Sequence, residues 1–492
     1  LMLALAAVPG SLFPQRSADP NGVIVYYREN PETAKILDAF QLFDVFSSVW
    51  FSSIYVLLFI SLIGCILPRT KHHFNALRAE PPKTPVRLTR LPGYQLRELG
   101  ADSANTSVDA EIARAVKLLK AKRYRIRFLD EKNGRSVSAE RGYLRETGNL
   151  IFHSALVGVL AAVGIGGAFG YSGQRLLVEG QTFANTLSAY DSFTPGRFFS
   201  ESHLVPYALT LDYLDVVYES ENKAAIGLAM DYTASVTSRY IGQEAKEDSV
   251  KVNWPLHMGG TDIYLLGNGY APTLTVRNAD GQIVWSDSVP FLAQDQQMTS
   301  VGVIKIPDGL ETQLGLRGFF YPSQTEGHDG AYTSFFPDLL NPVLTLNVYT
   351  GDLGLDEGIP RSVYVLDTEN LTQISGRGTD VPGIELLPGE TVDLPNGLGT
   401  ISLDQHIPRF ASFDIHHDPA QVWVLASALT AIAGLFLSLL IPRRRMWVRV
   451  SEEDDSIVVE YAGLARGEDP NLEKSIQEFV SEHSNFPDGT LS

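Results

Sequence analysis

The sequence holds one cysteine, Cys65, and it lies inside an apolar run. No disulfide can form within the chain and no CxxC pair is available, so dithiol exchange is excluded as its chemistry. Cys65 reads as a small packing residue. Catalytic signatures are missing as well: there is no glycine-rich phosphate loop, no HExxH helix, no GxSxG elbow and no zinc-type Cys/His spacing. Positive charge is in the minority. Lys and Arg number 39 against 57 Asp and Glu, a formal net charge of −18 that argues against nucleic acid as a partner. No period of a repeat architecture is visible.

Uncharged apolar runs are what the chain does have. Segments 46–67 (FSSVWFSSIYVLLFISLIGCIL), 150–170 (LIFHSALVGVLAAVGIGGAFG) and 421–441 (QVWVLASALTAIAGLFLSLLI) each run for about 21 residues, enough to cross roughly 30 Å of hydrocarbon. None carries the polar stripe of a core helix. The apolar start at 1–15 is expected to be the end of a first spanning helix that begins before residue 1; a cleaved signal peptide is the rival reading. Lys and Arg crowd 68–149 and the PRRRMWVR stretch at 442–449. Those flanks are expected on the cytoplasmic side, which places the long segment between the last two runs outside.

The expected fold is therefore a multi-pass α-helical membrane protein with four spans in the cell membrane, the first truncated. It carries a large β-rich extracytoplasmic domain and a small α/β cytoplasmic unit. In order these are a first span (1–15), an outer loop with an amphipathic helix (16–45), a second span (46–67), a cytoplasmic loop with a helix–hairpin unit (68–149), a third span (150–170), the β-rich domain (171–420), a fourth span (421–441) and a cytoplasmic tail (442–492). Ile36, Leu37, Phe40 and Phe43 set the helical spacing of the amphipathic piece, over 31–46. A Pro-rich linker, EPPKTPVRL, precedes a helix capped by Ser107 and a hairpin turning at Asn133–Gly134. Period-two stretches such as TLTVRNADGQIVWSDSV, with a hairpin at Asp280–Gly281, mark the β-rich domain as short strands and tight turns in sandwiches or open barrels. Small residues near Gly164 are expected to admit another helix closely.

Histidines are the candidate chemistry. His72 and His73 sit at the mouth of the second run, an interfacial position. His203, His257 and His328 lack ligand spacing and read as surface or turn residues. His406, His416 and His417 precede the last run; His416 and His417 are a candidate pair for a metal or cofactor, although neighbours on a strand point to opposite faces. His153 stands apart, because an ionisable ring inside an apolar run normally faces a bundle interior or a cavity. Two readings of it stand: a neutral imidazole that ligates haem iron, or a ring hydrogen-bonded to a neighbouring helix.

Several segments in order resemble the ResB family of cytochrome c biogenesis proteins, of the System II pathway. They are AVPGSLFPQ (7–15), WFSSIYVLLFISLIGCILPR (50–69), the His-bearing third run, LLVEGQTF (176–183), VNWPLHMGGTDIYLLGNGYAP (252–272) and the final run before PRRR. The resemblance implies a subunit that holds or carries haem across the membrane and delivers it to apocytochrome c for covalent attachment. It implies haem b, bound transiently and shared with a partner. That partner is a Trp-rich, multi-span haem-handling protein of the ResC/CcsA type, since the five Trp here are scattered. His153 matches the third-span axial ligand of that family. No catalytic residue is expected in this accessory subunit. The resemblance also leaves the outer domain free to shape a release site or to hold apocytochrome by edge-strand pairing. A scaffold that steadies the haem-handling partner without binding haem is the competing function. A signal-receiving protein is a weaker one, because the acidic segment after Trp447 carries no kinase, cyclase or DNA-binding pattern.

Overall fold

A computed structural model describes residues 2–100, 107–222, 224–327, 331–355, 365–368, 370–453 and 456–485. The chain divides into two units: 1–164 with 420–492, and 165–419.

Among the described residues, three helices are long and apolar enough to cross a membrane: α4 (Val49–Arg78), α6 (Leu144–Phe169) and α7 (Gln421–Leu440). A shorter apolar helix, α1, covers Met2–Leu12. Two of the long helices, α4 and α6, overrun the limits that charge suggests. Helix α4 passes through Pro68, which removes one intrahelical bond, and continues to Arg78, with the extension held to α6 by the His73–Thr147 contact. Helix α6 starts at Leu144 rather than 150, since the charges in its first turns find partners: Arg145 donates to the Arg466 carbonyl, and Glu146 pairs with Arg466 at 3.1 Å. Cys65 is exposed on α4, not packed as expected, and the apolar stretch of that helix buries nothing against protein.

The 16–45 stretch folds more tightly than a loop. Two helices, α2 (Pro20–Glu29) and α3 (Pro31–Ala39), meet at Asn30, each with a proline in its first turn. The single amphipathic helix expected over 31–46 stops at Ala39. Phe40 and Ile36 are exposed, whereas Phe43, past the helix end, is fully buried with Val23 and Ala34. Buried Gln15 fastens the segment: its amide donates to the Leu42 carbonyl (2.9 Å) and its oxygen accepts from the Val45 N–H (3.0 Å).

A five-stranded antiparallel sheet completes this unit. Its order is Gln95–Gly100, Ser456–Ala465, Arg444–Glu453, Gly134–Arg141, Arg125–Glu131. The segment 442–492, read as a tail, thus supplies two interior strands and a helix, α8 (Leu472–Ser484). Helix α5 (Val108–Ala121), capped by Ser107 accepting from the Ala110 N–H, packs with α8 on one face over Val137, Val448 and Val459. The Pro-rich stretch is strapped across the other face: the Ser138 hydroxyl donates to the Pro82 carbonyl (2.6 Å) and Arg449 to that of Pro85 (2.7 Å). At the hairpin, Glu131 pairs with Gly134, so the turn centres on Lys132–Asn133. Gly134 is needed for space instead: a Cβ there would fall 2.0 Å from the Val450 carbonyl oxygen.

The second unit is built of antiparallel sheets over two apolar cores. One core lies between a sheet that includes Thr273–Arg277 and Thr400–Leu403 and another that includes Leu314–Tyr321 and Val343–Gly351. The other lies between a sheet of Tyr171–Val178, Thr261–Tyr270 and Arg409–His417 and one of Tyr207–Tyr218 and Ala229–Tyr240. Alternating burial along each strand is the physical origin of the period-two sequence pattern. The Asp280–Gly281 hairpin forms, with Gly281 at φ +79° and the Asn278 side chain accepting from the Gln282 N–H at 2.9 Å.

Candidate functional site

Helix α6 carries His153 in its third turn, with the ring half-buried. Its Nδ1 lies 2.8 Å from the backbone oxygen of Asn149, one turn back on the same helix. A carbonyl only accepts, so Nδ1 carries the proton. In a ring with Nδ1–H alone the lone pair is on Nε2, and the bond to Asn149 fixes the ring's direction. That is the second-shell arrangement usual for a histidine that ligates through Nε2. Phe152 meets the imidazole edge-on, ring centres 5.1 Å apart. The backbone bond runs within α6, not to a neighbouring helix, and occupies one of the two ring nitrogens.

Small residues set the framework around it. A Cβ on Gly434 of α7 would lie 2.6 Å from the Phe152 nitrogen and 2.8 Å from the Gly148 oxygen. A Cβ on Gly148 would lie 2.6 Å from the Ser438 nitrogen, and one on Gly158 2.7 Å from the Ser427 hydroxyl. Helices α6 and α7 therefore cross backbone to backbone beside His153, the contact that small residues permit between apolar helices. The sequence points to Gly164 for such a contact, but there the nearest atom is Tyr55, at 3.8 Å. Tyr55 serves differently: its hydroxyl donates to the Leu160 carbonyl, tying α4 to α6. A second tie joins His73 Nε2 to the Thr147 hydroxyl at 2.9 Å, which makes His73 a buried helix–helix contact.

Five of the remaining histidines have structural employment. His416 and His417 end the strand Arg409–His417 and point to opposite faces, so they do not form a joint site. His416 bonds Asp414 at 2.7 Å, and that carboxylate holds its pKa above the usual imidazole value despite partial burial. His417 donates from Nδ1 to the Gly260 carbonyl (2.7 Å) and stacks on Tyr171. His203 helps cap a short 3-10 turn with Ser200, and His257 is paired with Asp262. His328 lies outside the described residues. His483, which the sequence gave no reason to single out, is buried in α8 between the Tyr461 hydroxyl (2.6 Å) and the Glu111 carbonyl (3.1 Å). Burial holds its pKa below the ordinary value. Among the described residues, no three His, Cys, Asp or Glu side chains gather as a metal-ion site.

A family model described as the ResB-like family matches residues 1–477. Among proteins of known name, the cytochrome c biogenesis protein CcsB of Synechococcus sp. (strain WH7803) is 22% identical over 458 residues, which cover 91% of this chain and 86% of the relative. The CcsB of Prochlorococcus marinus (strain MIT 9301) is 23% identical over 518 residues, covering 99% and 95%. That of Microcystis aeruginosa (strain NIES-843 / IAM M-2473) is 24% identical over 282 residues, covering 55% and 57%.

Proposed function

The chain belongs to the ResB-like family, and from that premise we propose that it serves cytochrome c maturation as a membrane subunit that holds haem on its way to apocytochrome c. In this reading His153 offers Nε2 as one axial ligand, and a Trp-rich partner of the ResC/CcsA type offers the other. Iron between two neutral imidazoles is coordinatively saturated, which keeps oxygen chemistry away from a cofactor in transit. The chain's own residues do the positioning. The Asn149 carbonyl holds the Nδ1 proton, so that Nε2 is always the free nitrogen. Gly148 and Gly434 hold α6 and α7 at backbone contact, and Tyr55 fixes α4 against α6. The donor set fits one axial position, with the opposite one left to the partner.

The same reading places 68–149 and 442–492 on the cytoplasmic side and the β-rich unit outside. Lys and Arg in the short flanks support this orientation. Pairing of 442–492 with strands of 68–149 in one sheet agrees with it, since both segments must then share a side.

The observation that carries the proposal is the Nδ1 bond of His153, which leaves a directed, neutral Nε2 in an apolar helix of this family. Visible spectra of the chain co-purified with its partner test it. Wild type is expected to show a six-coordinate low-spin signal that His153→Ala loses. An unchanged spectrum favours the scaffold.

A further inference from the structure

Below His153, toward the start of α6, the helix ends border a half-open cavity of about 560 Å³, within the range of about 300–1,000 Å³ typical of ligand sites. Four guanidiniums line it, Arg69, Arg145, Arg443 and Arg466, with one carboxylate, Glu146. Glu146 is shared by Arg466 (3.1 Å) and Arg443 (3.9 Å). Arg443 also pairs with buried Glu140 at 2.9 Å. Arg69 and Arg145 have no carboxylate partner among the described residues. Arg69 reaches only the Asn149 side-chain oxygen, at 3.5 Å, and Arg145 the Arg466 carbonyl. The wall also holds an orphan: His73 Nδ1 is buried without a hydrogen-bond partner. The Thr147 hydroxyl donates to the Tyr143 carbonyl (3.4 Å), so His73 donates from Nε2 to Thr147 and its Nδ1 is a buried acceptor; the guanidiniums supply the cavity's anion donors.

Such a cavity is built for an anion with more than one negative charge, and guanidiniums favour planar carboxylates in particular. Its position narrows the choice. Asn149 lines it and is also the residue whose carbonyl orients His153, so cavity and ring are separated by one helical turn, about 5.4 Å of rise. A porphyrin is apolar except for two carboxylates along one edge. We propose that this cavity seats those two carboxylates while His153 faces the iron, so that the ligand is held edge-down with its apolar side among α4, α6 and α7. The proposal rests on the reading of His153 as an iron ligand and extends it to the carboxylate edge of the same molecule.

The test uses the full chain in lipid nanodiscs, titrated with haemin, haemin dimethyl ester and metal-free protoporphyrin IX as acid and ester. Wild type is expected to bind each free acid at least about tenfold tighter than its ester, the value of roughly one charge-assisted hydrogen bond. The double variant Arg69→Gln, Arg145→Gln is expected to lose that preference while ester binding stays unchanged. Arg145→Lys, which keeps the charge, is expected to retain most of it. Equal binding of acid and ester by wild type overturns the proposal, as does a preference that survives the double variant. Phosphatidylglycerol retained by wild type and lost by the double variant, with no acid preference, assigns the cavity to a lipid headgroup and also overturns it. The two readings fail separately. A haemin spectrum untouched by His153→Ala removes the iron ligand, and the carboxylate seat is then decided by the metal-free porphyrins alone.

Discussion

Replacing Glu140 by Ala should loosen the five-stranded sheet more than any exposed substitution nearby. The carboxylate is 3% exposed and serves three donors: Arg443 at 2.9 Å, Arg445 at 3.1 Å and the Tyr143 hydroxyl at 3.0 Å. It sits on Gly134–Arg141, directly across from Arg445 on Arg444–Glu453, so it joins two strands that are far apart in the chain. Arg445 is 36% exposed and can return to water, so its arm contributes about 1 kcal/mol at most. Arg443 is 7% exposed, and its next carboxylate is at the edge of reach. Leaving that cation buried and unpaired costs about 3–4 kcal/mol. Hydrogen exchange followed by mass spectrometry reads this directly: amides of both strands should open roughly a hundred- to a thousandfold more often. A change under about fivefold, close to 1 kcal/mol, refutes the reasoning. Adding Arg443→Met to Glu140→Leu should return much of the protection, because a buried pair replaced by apolar groups is often neutral.

Gly434→Ala should force α7 away from α6, since its new methyl would meet backbone atoms that cannot turn aside. A loss of about 1–3 kcal/mol is expected, seen as a lower melting temperature, and a tolerated substitution contradicts the close crossing. His483 should make the sheet acid-sensitive. Its pKa is lowered in the folded chain by burial, so below the unfolded value of about 6.5 the unfolded state takes up a proton that the folded state does not. Stability is full above that pH and falls as pH drops through it toward the folded value. Exchange across Leu472–Ser484 at pH 7.5 and 5.5, corrected for intrinsic rates, should show the loss, and His483→Gln should flatten it.

The long helices were legible because charge is absent from them; their ends were not, because a helix stops where its backbone loses partners, not where hydrocarbon would. Arg145 and Glu146 look like a boundary in sequence and are helical in the fold because Arg466 receives both. The hairpin of 442–492 carried its own signal, alternation through MWVRV and SIVVEY, but the acidic charge between them suggested a solvated tail. Its partners, Gly134–Arg141 and Gln95–Gly100, lie too far off for any local pattern to name. His153 stood out by its place in an apolar run. The bond from its ring to Asn149 was not readable, since a side-chain rotamer leaves no trace in periodicity. Nor was the basic cavity, whose arginines come from four separate stretches that only folding collects.

The strand Gly134–Arg141 has a neighbour that arrives very late. Some 303 residues separate Arg141 from Arg444, and at roughly 5–20 residues per second a ribosome needs roughly 15–60 s to traverse them. Throughout that interval one rim of a nascent hairpin stands open, inviting proteases or a chaperone. Only a chain that already includes Arg444–Glu453 can close it, so this sheet forms late relative to its first hairpin.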